Sequence, residues 1–554
     1  MKRPLAAALV VLALFVLPWT RQPIHYVGPS DAANYLAAAR SGHVLYDKKP
    51  YVIHPPAYPL AVRAAALVAG GEARGALLLG LGCQAALVLV TFLLALELAR
   101  GRLGAAVLGA LLLVFSRALA YHAQGIFREP WQVLLVHLAV LVVLKGSARW
   151  APLGVPAALT WDPIGVAAPV LAASGFVAKR TKPALALALV VLVSWLGWAT
   201  WRARLLASAG TYPAGIDGMV EETTSIPPGA FVNPNFFAET KRHNSYFWSR
   251  RPTPLHLVEQ AGPNLLAEDV LYADYPQPAS FLVLGVATVL LAALGAAVVE
   301  TRPLVAWALP VGFLGAPGLL GNTSRYSMVL VPLVCVLAGA GLEHLVRRRA
   351  GDLLEKKPWL LLVAALVPLG ATVATHPVFA PARQDVFETR SVAAVASAMP
   401  DAKIAAYVGW PPELCWLLPD ARVVALPLRV ERLDAFLASE DPDLLVVPVA
   451  EPRVVVPGGD PALREVALGL PVLAEVAARQ RSGALVLLGF AFEAETSDRP
   501  RLHAYVVLGR PRPGRTLPRP FGFHLPAGEA LDAARAIDAG GVEPAELALL
   551  RAHR

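Results

Sequence analysis

The sequence predicts a polytopic α-helical membrane protein with an extracytoplasmic α/β domain at its C-terminal end. Three observations predict it. The 554 residues are 56% hydrophobic and only 16% charged, where ordinary soluble domains carry about 25% charge. Apolar runs near the ~20 residues that span ~30 Å of hydrocarbon recur through the first two thirds of the chain. From about Arg390 the pattern changes to short β-rich runs alternating with helical ones.

The formal net charge is +9, and the mean hydropathy is +0.54. The basic residues sit in short clusters between apolar runs rather than along one stripe. That is the positive-inside arrangement, so no nucleic acid is expected as a partner and membrane lipids are. Cys83, Cys335 and Cys415 show neither zinc-ligand spacing nor a disulfide framework.

The first run, Leu5 to Trp19, follows Lys2 and Arg3 and lacks a small-residue cleavage site, so it is expected to stay as a crossing rather than leave as a signal peptide. The next runs are Gly75–Leu98, Leu103–Phe115 and Trp131–Leu144. The apolar stretch Pro152–Val177 is broken by Trp161-Asp162-Pro163 and reads as a hairpin of two short helices with the break at its tip. Such a break is tolerated in a bilayer only under cover of protein or a cavity. Pro183–Trp201, Pro278–Val299, Pro303–Leu320, Met328–Leu345 and Pro358–Thr375 complete about eleven crossings.

With that count, Arg100 and Arg102, Lys145 and Arg149, Lys179 to Lys182, Arg302, Arg347 to Arg349 and Lys356 with Lys357 all fall on the cytoplasmic side. The outer face then receives the segment after the first crossing, the loops 116–129, 202–277 and 321–327, and everything after His376. A multi-pass protein of the inner (plasma) membrane is expected. Residues 1–376 form the membrane domain, 377–510 a soluble α/β domain, and 511–554 a proline-rich tail with weak helices.

In the soluble part, "KIAAYV", "RVVALP", "DLLVVPV", "GALVLLGFAF" and "LHAYVVLG" read as strands. "RLDAFLAS" and "ALREVALGLPVLAEVAARQ" read as helices. No glycine-rich phosphate loop follows the first strand, so no nucleotide site is expected there.

The unusual polar residues gather in the outer loops. Asp31 opens "DAANYLAAAR", where Ala32, Tyr35, Leu36 and Ala39 share a helical face. Asp31 reads either as a helix cap or as a carboxylate in an outer cavity, able to accept a proton from an attacking hydroxyl. Glu129, before Pro130, carries the same two readings. Lys48, Lys49 and His54 in "KKPYVIHPPAYPL" are candidates to meet a phosphate, and the lysines equally suit lipid headgroups. Arg325 and Tyr326 in "GNTSRYSMVLVPL" suit a phosphate through the bidentate guanidinium, or an interfacial anchor.

These motifs, in this order, resemble the C-class (GT-C) membrane glycosyltransferases, and in particular bacterial members of the protein O-mannosyltransferase and lipid A aminoarabinose transferase family. The likeness rests on Asp31 with Tyr35, Leu36 and Ala39, then Gly42 and Tyr46, then "HPPAYPL", "REP" at Arg128 to Pro130, "GVPAALTWDP" and "SRYSMVLVPLVCVLAGAGLEHL". It covers about residues 1–350.

The resemblance implies transfer of a sugar from a polyprenyl-phosphate donor to a hydroxyl-bearing glycan, lipid or protein acceptor on the outer face of the membrane. It implies Asp31 as general base, Glu129 as the second acidic position, and Tyr35, Lys48, Lys49, His54, Arg325 and Tyr326 around the donor. Three departures bear on the donor and on any divalent-cation requirement. Ala32 stands where many members carry a second acid, His54 stands where the aminoarabinose enzymes favour lysine, and "GWATWRAR" replaces the family's end of a middle crossing. Two other readings stand beside this one: a polyprenyl-lipid transporter or flippase, and an inactive member acting as a scaffold.

Overall fold

The computed structural model describes residues 55–114, 126, 128–208, 279–320, 328–351, 402–406, 422–426, 430–449, 453–455, 465–467, 471–495, 501–514 and 522–524, with single positions among 7–12, 35–40, 356–360 and 516–517. The chain divides into two units. One comprises Met1–His25, Ile53–Trp201 and Asn244–Ala382; the other comprises Tyr26–Val52, Arg202–His243 and Arg383–Arg554. The first is helical and apolar and the second carries the sheet, so the protein is a polytopic α-helical membrane protein with a C-terminal α/β unit.

The helical unit contains α1 (Ala57–Ala69), α2 (Glu72–Leu98), α3 (Leu103–Val114) and α4 (Glu129–Lys145). A 3-10 turn over Ala148–Leu153 leads into α5 (Gly154–Ala158), α6 (Asp162–Val166), α7 (Ala168–Val177) and α8 (Thr181–Ser208). Then come α9 (Ala279–Val298), α10 (Thr301–Leu320) and α11 (Val331–Ala350).

The expected eleven crossings are not what the described residues contain. Three helical spans, Glu72–Leu98, Thr181–Arg204 and Met328–Ala350, are long and apolar enough to cross a membrane, and four shorter apolar helices accompany them. Proline and charge explain part of the shortfall, because Trp161-Asp162-Pro163 cuts one apolar stretch into pieces too short to span alone. The runs 5–19 and 358–375 lie largely outside the described residues. The sequence reading also assigned no element to 61–74, where α1 and the start of α2 form a helical hairpin. Gly70 and Gly71 turn it at φ 76° and 156°, values that favour glycine.

The broken stretch folds back on itself as expected. At its tip Trp131 Nε1 donates to Thr160 Oγ1 at 2.8 Å, beside the start of α4. At its base a Cβ on Gly146, just past the end of α4, would stand 3.0 Å from Arg180 Cδ. The two arms therefore run up and back along α4.

Small residues set the closest helix contacts. Hydrocarbon supplies no hydrophobic drive between helices, so backbones approach where side chains are minimal. A Cβ on Gly339 of α11 would lie 2.3 Å from Gly109 N of α3, and one on Gly341 would lie 2.1 Å from Leu291 O of α9. Two residues turn a helix by about 200°, so this glycine pair seats α11 between α3 and α9. Gly295 of α9 answers, its Cβ position 1.8 Å from Leu337 O.

Basic residues of two of these charge clusters pair with carboxylates near helix ends. Arg102 pairs with buried Glu343 at 2.8 Å, Arg100 with Glu300 at 3.5 Å, and Lys145 with Glu97. Arg347 to Arg349 occupy the last turn of α11, just past Glu343, where cations complement the helix dipole.

The second unit contains β1 (Lys403–Ala406), β2 (Arg422–Ala425), α12 (Val430–Ser439), β3 (Leu444–Pro448), β4 (Arg453–Val455), β5 (Glu465–Ala467), α13 (Pro471–Arg481), β6 (Val486–Glu495), β7 (Arg501–Gly509) and β8 (Gly522–His524). Six strands form one sheet in the order β2-β1-β3-β7-β6-β8, and β4 pairs with β5 separately. β2, β1 and β3 are parallel, β7 is antiparallel to both β3 and β6, and β8 joins β6 in parallel.

Buried Asp443 ties three strands together. Its carboxylate accepts from Lys403 N at 2.8 Å and pairs with Arg512 at 3.2 Å, and its carbonyl accepts from Arg510 N at 2.9 Å. The expected helix over 462–480 is a strand at its start and a helix only from Pro471. The strand over 522–524 lies in what was read as the proline-rich tail. Strands of three residues carry too little pattern to read and form only because a partner supplies the ladder.

Candidate active site

The α2–α4 pair gives the helical unit a scale. Lys145 meets Glu97 at one end. Cys83 stands fourteen residues up α2 from that pair, about 21 Å, and Glu129 sixteen residues up α4, about 24 Å. Tyr58, at the start of α1, lies near enough to Cys83, Glu129 and Arg128 for charge on any of them to bear on its phenol. A cluster thus forms at one level, opposite the basic end.

Each member is placed by its own element. Pro130 starts α4, because its missing N–H costs nothing in a first turn and its φ is already helical. That puts Glu129 in the first turn, where the dipole favours a carboxylate. Pro55 and Pro56 precede α1, and Ala57 N donates to Leu159 O at 2.8 Å, so the hairpin tip satisfies one of the unfilled N–H groups of the new helix. Tyr58 is thereby fixed against the tip and 1% exposed. Thr160 passes its hydroxyl to Pro156 O while accepting from Trp131.

Glu129 is 3% exposed and Arg128 2%. Glu129 is therefore not a solvated helix end. It shares a dry environment with a guanidinium and a phenol, where electrostatic interactions are stronger than in water. Gln132 and Gln84, both buried, lie on α4 and α2 just toward the basic end. Buried ionisable side chains are rare and costly in an apolar bundle, which makes the Arg128 and Glu129 level the candidate site.

Of the predicted site residues, Glu129 belongs to this cluster. Tyr35 is helical and buried at 2% exposure. Asp31, Lys48, Lys49, His54, Arg325 and Tyr326 lie outside the described residues. Sequence reasoning singled out neither Arg128 nor Tyr58, although both stood inside quoted motifs, "REP" and "HPPAYPL". No group of three His, Cys, Asp or Glu side chains able to hold a metal ion occurs among the described residues.

No protein-family model matches the chain, and no curated protein matches it. Among solved structures, it is similar to the Archaeoglobus fulgidus oligosaccharyltransferase tethered with an acceptor peptide containing the NVT sequon, at 12% identity and a TM-score of 0.49 over 80% of this chain and 69% of that one. It is also similar to ArnT from Cupriavidus metallidurans. The apo state matches at 13% identity with a TM-score of 0.40, and the state bound to undecaprenyl phosphate at 13% with 0.42, each over 91% of this chain and 97% of that one. At identities of this size, the roles of site residues rest on this chain's own side chains.

Proposed function

We propose that the protein is an integral membrane glycosyltransferase that moves a sugar from a polyprenyl-phosphate donor to a hydroxyl-bearing glycan, lipid or protein on the outer face of the membrane. The observation that supports it is the buried Arg128–Glu129–Tyr58 cluster, about 21–24 Å from the basic end along helices of 1.5 Å rise. A hydrocarbon core of ~30 Å extends beyond that level. A polar group recessed in this way is reached most directly by a substrate that already resides in the leaflet. The ordered motifs of residues 1–350 support the same reading.

In this mechanism the acceptor hydroxyl attacks the anomeric carbon and passes its proton to the Asp31 carboxylate. The new oxygen–carbon bond forms as the bond to the phosphate oxygen breaks, and the electron pair leaves on the lipid phosphate. Lys48, Lys49, His54 and Arg325 stabilise that phosphate as charge develops on it. Tyr35 and Tyr326 flank the donor, and Glu129 is the second acidic group.

The deciding experiment incubates purified protein with labelled polyprenyl-phosphate sugars and compares Asp31→Asn with Asp47→Asn. Asparagine caps a helix about as well as aspartate but takes no proton at neutral pH. Asp31→Asn is expected to fold and bind donor while losing about 10²–10⁴-fold in turnover, with Asp47→Asn near wild type. Normal transfer by Asp31→Asn removes it as the base.

A transporter is the second reading, favoured by the neutral polar side chains Gln84, Thr91, Gln132 and His137 buried within the bundle. It predicts movement of the lipid-linked sugar between leaflets without transfer of label.

A further inference from the structure

Midway along α4, His137 is completely buried, with 0% exposure, and so is Trp307 of α10. The two rings meet edge to face, with centroids 5.7 Å apart and planes at 86°. His137 Nδ1 lies 2.8 Å from Val133 O. A carbonyl only accepts, so Nδ1 carries the proton and Nε2 presents a lone pair. Among the described residues that Nε2 has no hydrogen-bond partner, and neither has the indole Nε1–H of Trp307.

An acceptor and a donor are thus left open on two side chains in contact, inside an apolar core built from Leu135, Val136, Val311 and Leu314 among others. Hydrocarbon offers neither a partner, and leaving such groups open is costly. Apolar side chains at these positions would not carry that cost. Ring packing alone therefore does not account for this choice of residues.

We propose that His137 and Trp307 form a binding site for one buried water molecule, which accepts from Trp307 Nε1–H and donates to His137 Nε2. Water suits the pair because it is small, neutral and able to do both at once, and buried waters characteristically serve polar groups that the protein leaves unfilled. The bridge joins α4 to α10 by a directional contact in a bundle otherwise held by non-directional packing. It lies eight residues below Glu129, about 12 Å along α4. Its role is positioning: it sets the axial register of α4, and hence of Arg128 and Glu129, against α10.

X-ray hydroxyl-radical footprinting of the full-length protein in lipid nanodiscs, in ¹⁸O-labelled water, tests this directly. Radicals formed from a bound water oxidise the side chains that hold it. Trp307 is expected to acquire the label despite its zero exposure, with exposed Trp150 as the positive control. In His137→Phe, Trp307 labelling is expected to fall to background while Trp150 is unchanged. In Trp307→Phe, labelling of His137 is expected to fall in the same way. An unlabelled Trp307 in the wild-type protein overturns the proposal, whether the site is dry or the rings bond directly. Labelling that persists in His137→Phe overturns the bridging role. The wild-type result stands even if a variant fails to fold.

Discussion

Arg102 Nη1 donates to Glu343 Oε2 at 2.8 Å, joining side chains 241 residues apart in sequence. The pair clamps the start of α3 to the last turns of α11. Glu343 has 5% of its side chain exposed and Arg102 20%.

Removing one partner of a buried pair costs about 3–5 kcal/mol, mostly because the other charge is stranded. Arg102 keeps some access to solvent, so Glu343→Ala is expected to cost about 3 kcal/mol or less. Thermal unfolding in detergent measures it. The double variant Arg102→Glu with Glu343→Arg is expected to recover part of the loss, and no recovery would mean that shape rather than charge holds the contact.

The α9–α11 contact predicts a different kind of sensitivity. Gly295→Ala places a methyl group where Leu337 O stands, at 1.8 Å, whereas Gly197 has nothing within 4 Å of its Cβ position. Overpacking typically costs about 1–3 kcal/mol. Gly295→Ala is therefore expected to lower the melting temperature, and Gly197→Ala to leave it level or raise it. Equal behaviour of the two would contradict backbone contact at α9 and α11.

Glu129→Gln separates catalysis from architecture at the buried cluster. The substitution preserves volume and hydrogen-bonding reach but removes the charge beside Arg128. On the proposed function, transfer per folded molecule falls, but by less than the about 10²–10⁴-fold expected of Asp31→Asn, because the proton passes to Asp31. If only the melting temperature falls and turnover per folded molecule persists, Glu129 is an architectural partner of its neighbours.

Sidedness is open to labelling. Arg100, Ser147 and Arg349 lie at the end of the helical unit where the ion pairs gather. Cysteines placed there are expected to react together with a membrane-impermeant reagent only from the cytoplasmic face. A reporter fused after Arg390 is expected to be active only in its periplasm-dependent form. Split reactivity among the three cysteines would break the charge-based topology.

Composition and apolar run length by themselves determined that the chain is a helical membrane protein with a separate α/β part. Those signals are averages over many residues and survive local error. The break at Trp161-Asp162-Pro163 was legible for a similar reason, since proline and a charge in an apolar stretch have few tolerable placements. The strands around Leu444 to Pro448 and Arg501 to Gly509 were legible from their β-branched runs.

The tertiary structure alone decided what meets what. Tyr58 and Glu129 are 71 positions apart, and nothing local to "HPPAYPL" or "REP" announces that the phenol and the carboxylate share one buried level. That follows from the α1–α2 hairpin, the rise along α2 and α4, and one backbone bond from Ala57 to Leu159. The strands at Arg453–Val455, Glu465–Ala467 and Gly522–His524 are equally dependent on partners. His137 and Trp307 read in sequence as two aromatic rings in apolar helices. Only their packing across α4 and α10 leaves a lone pair on one and an N–H on the other without protein partners among the described residues, because hydrogen-bond satisfaction is a property of neighbours in space and has no counterpart in the order of residues along the chain.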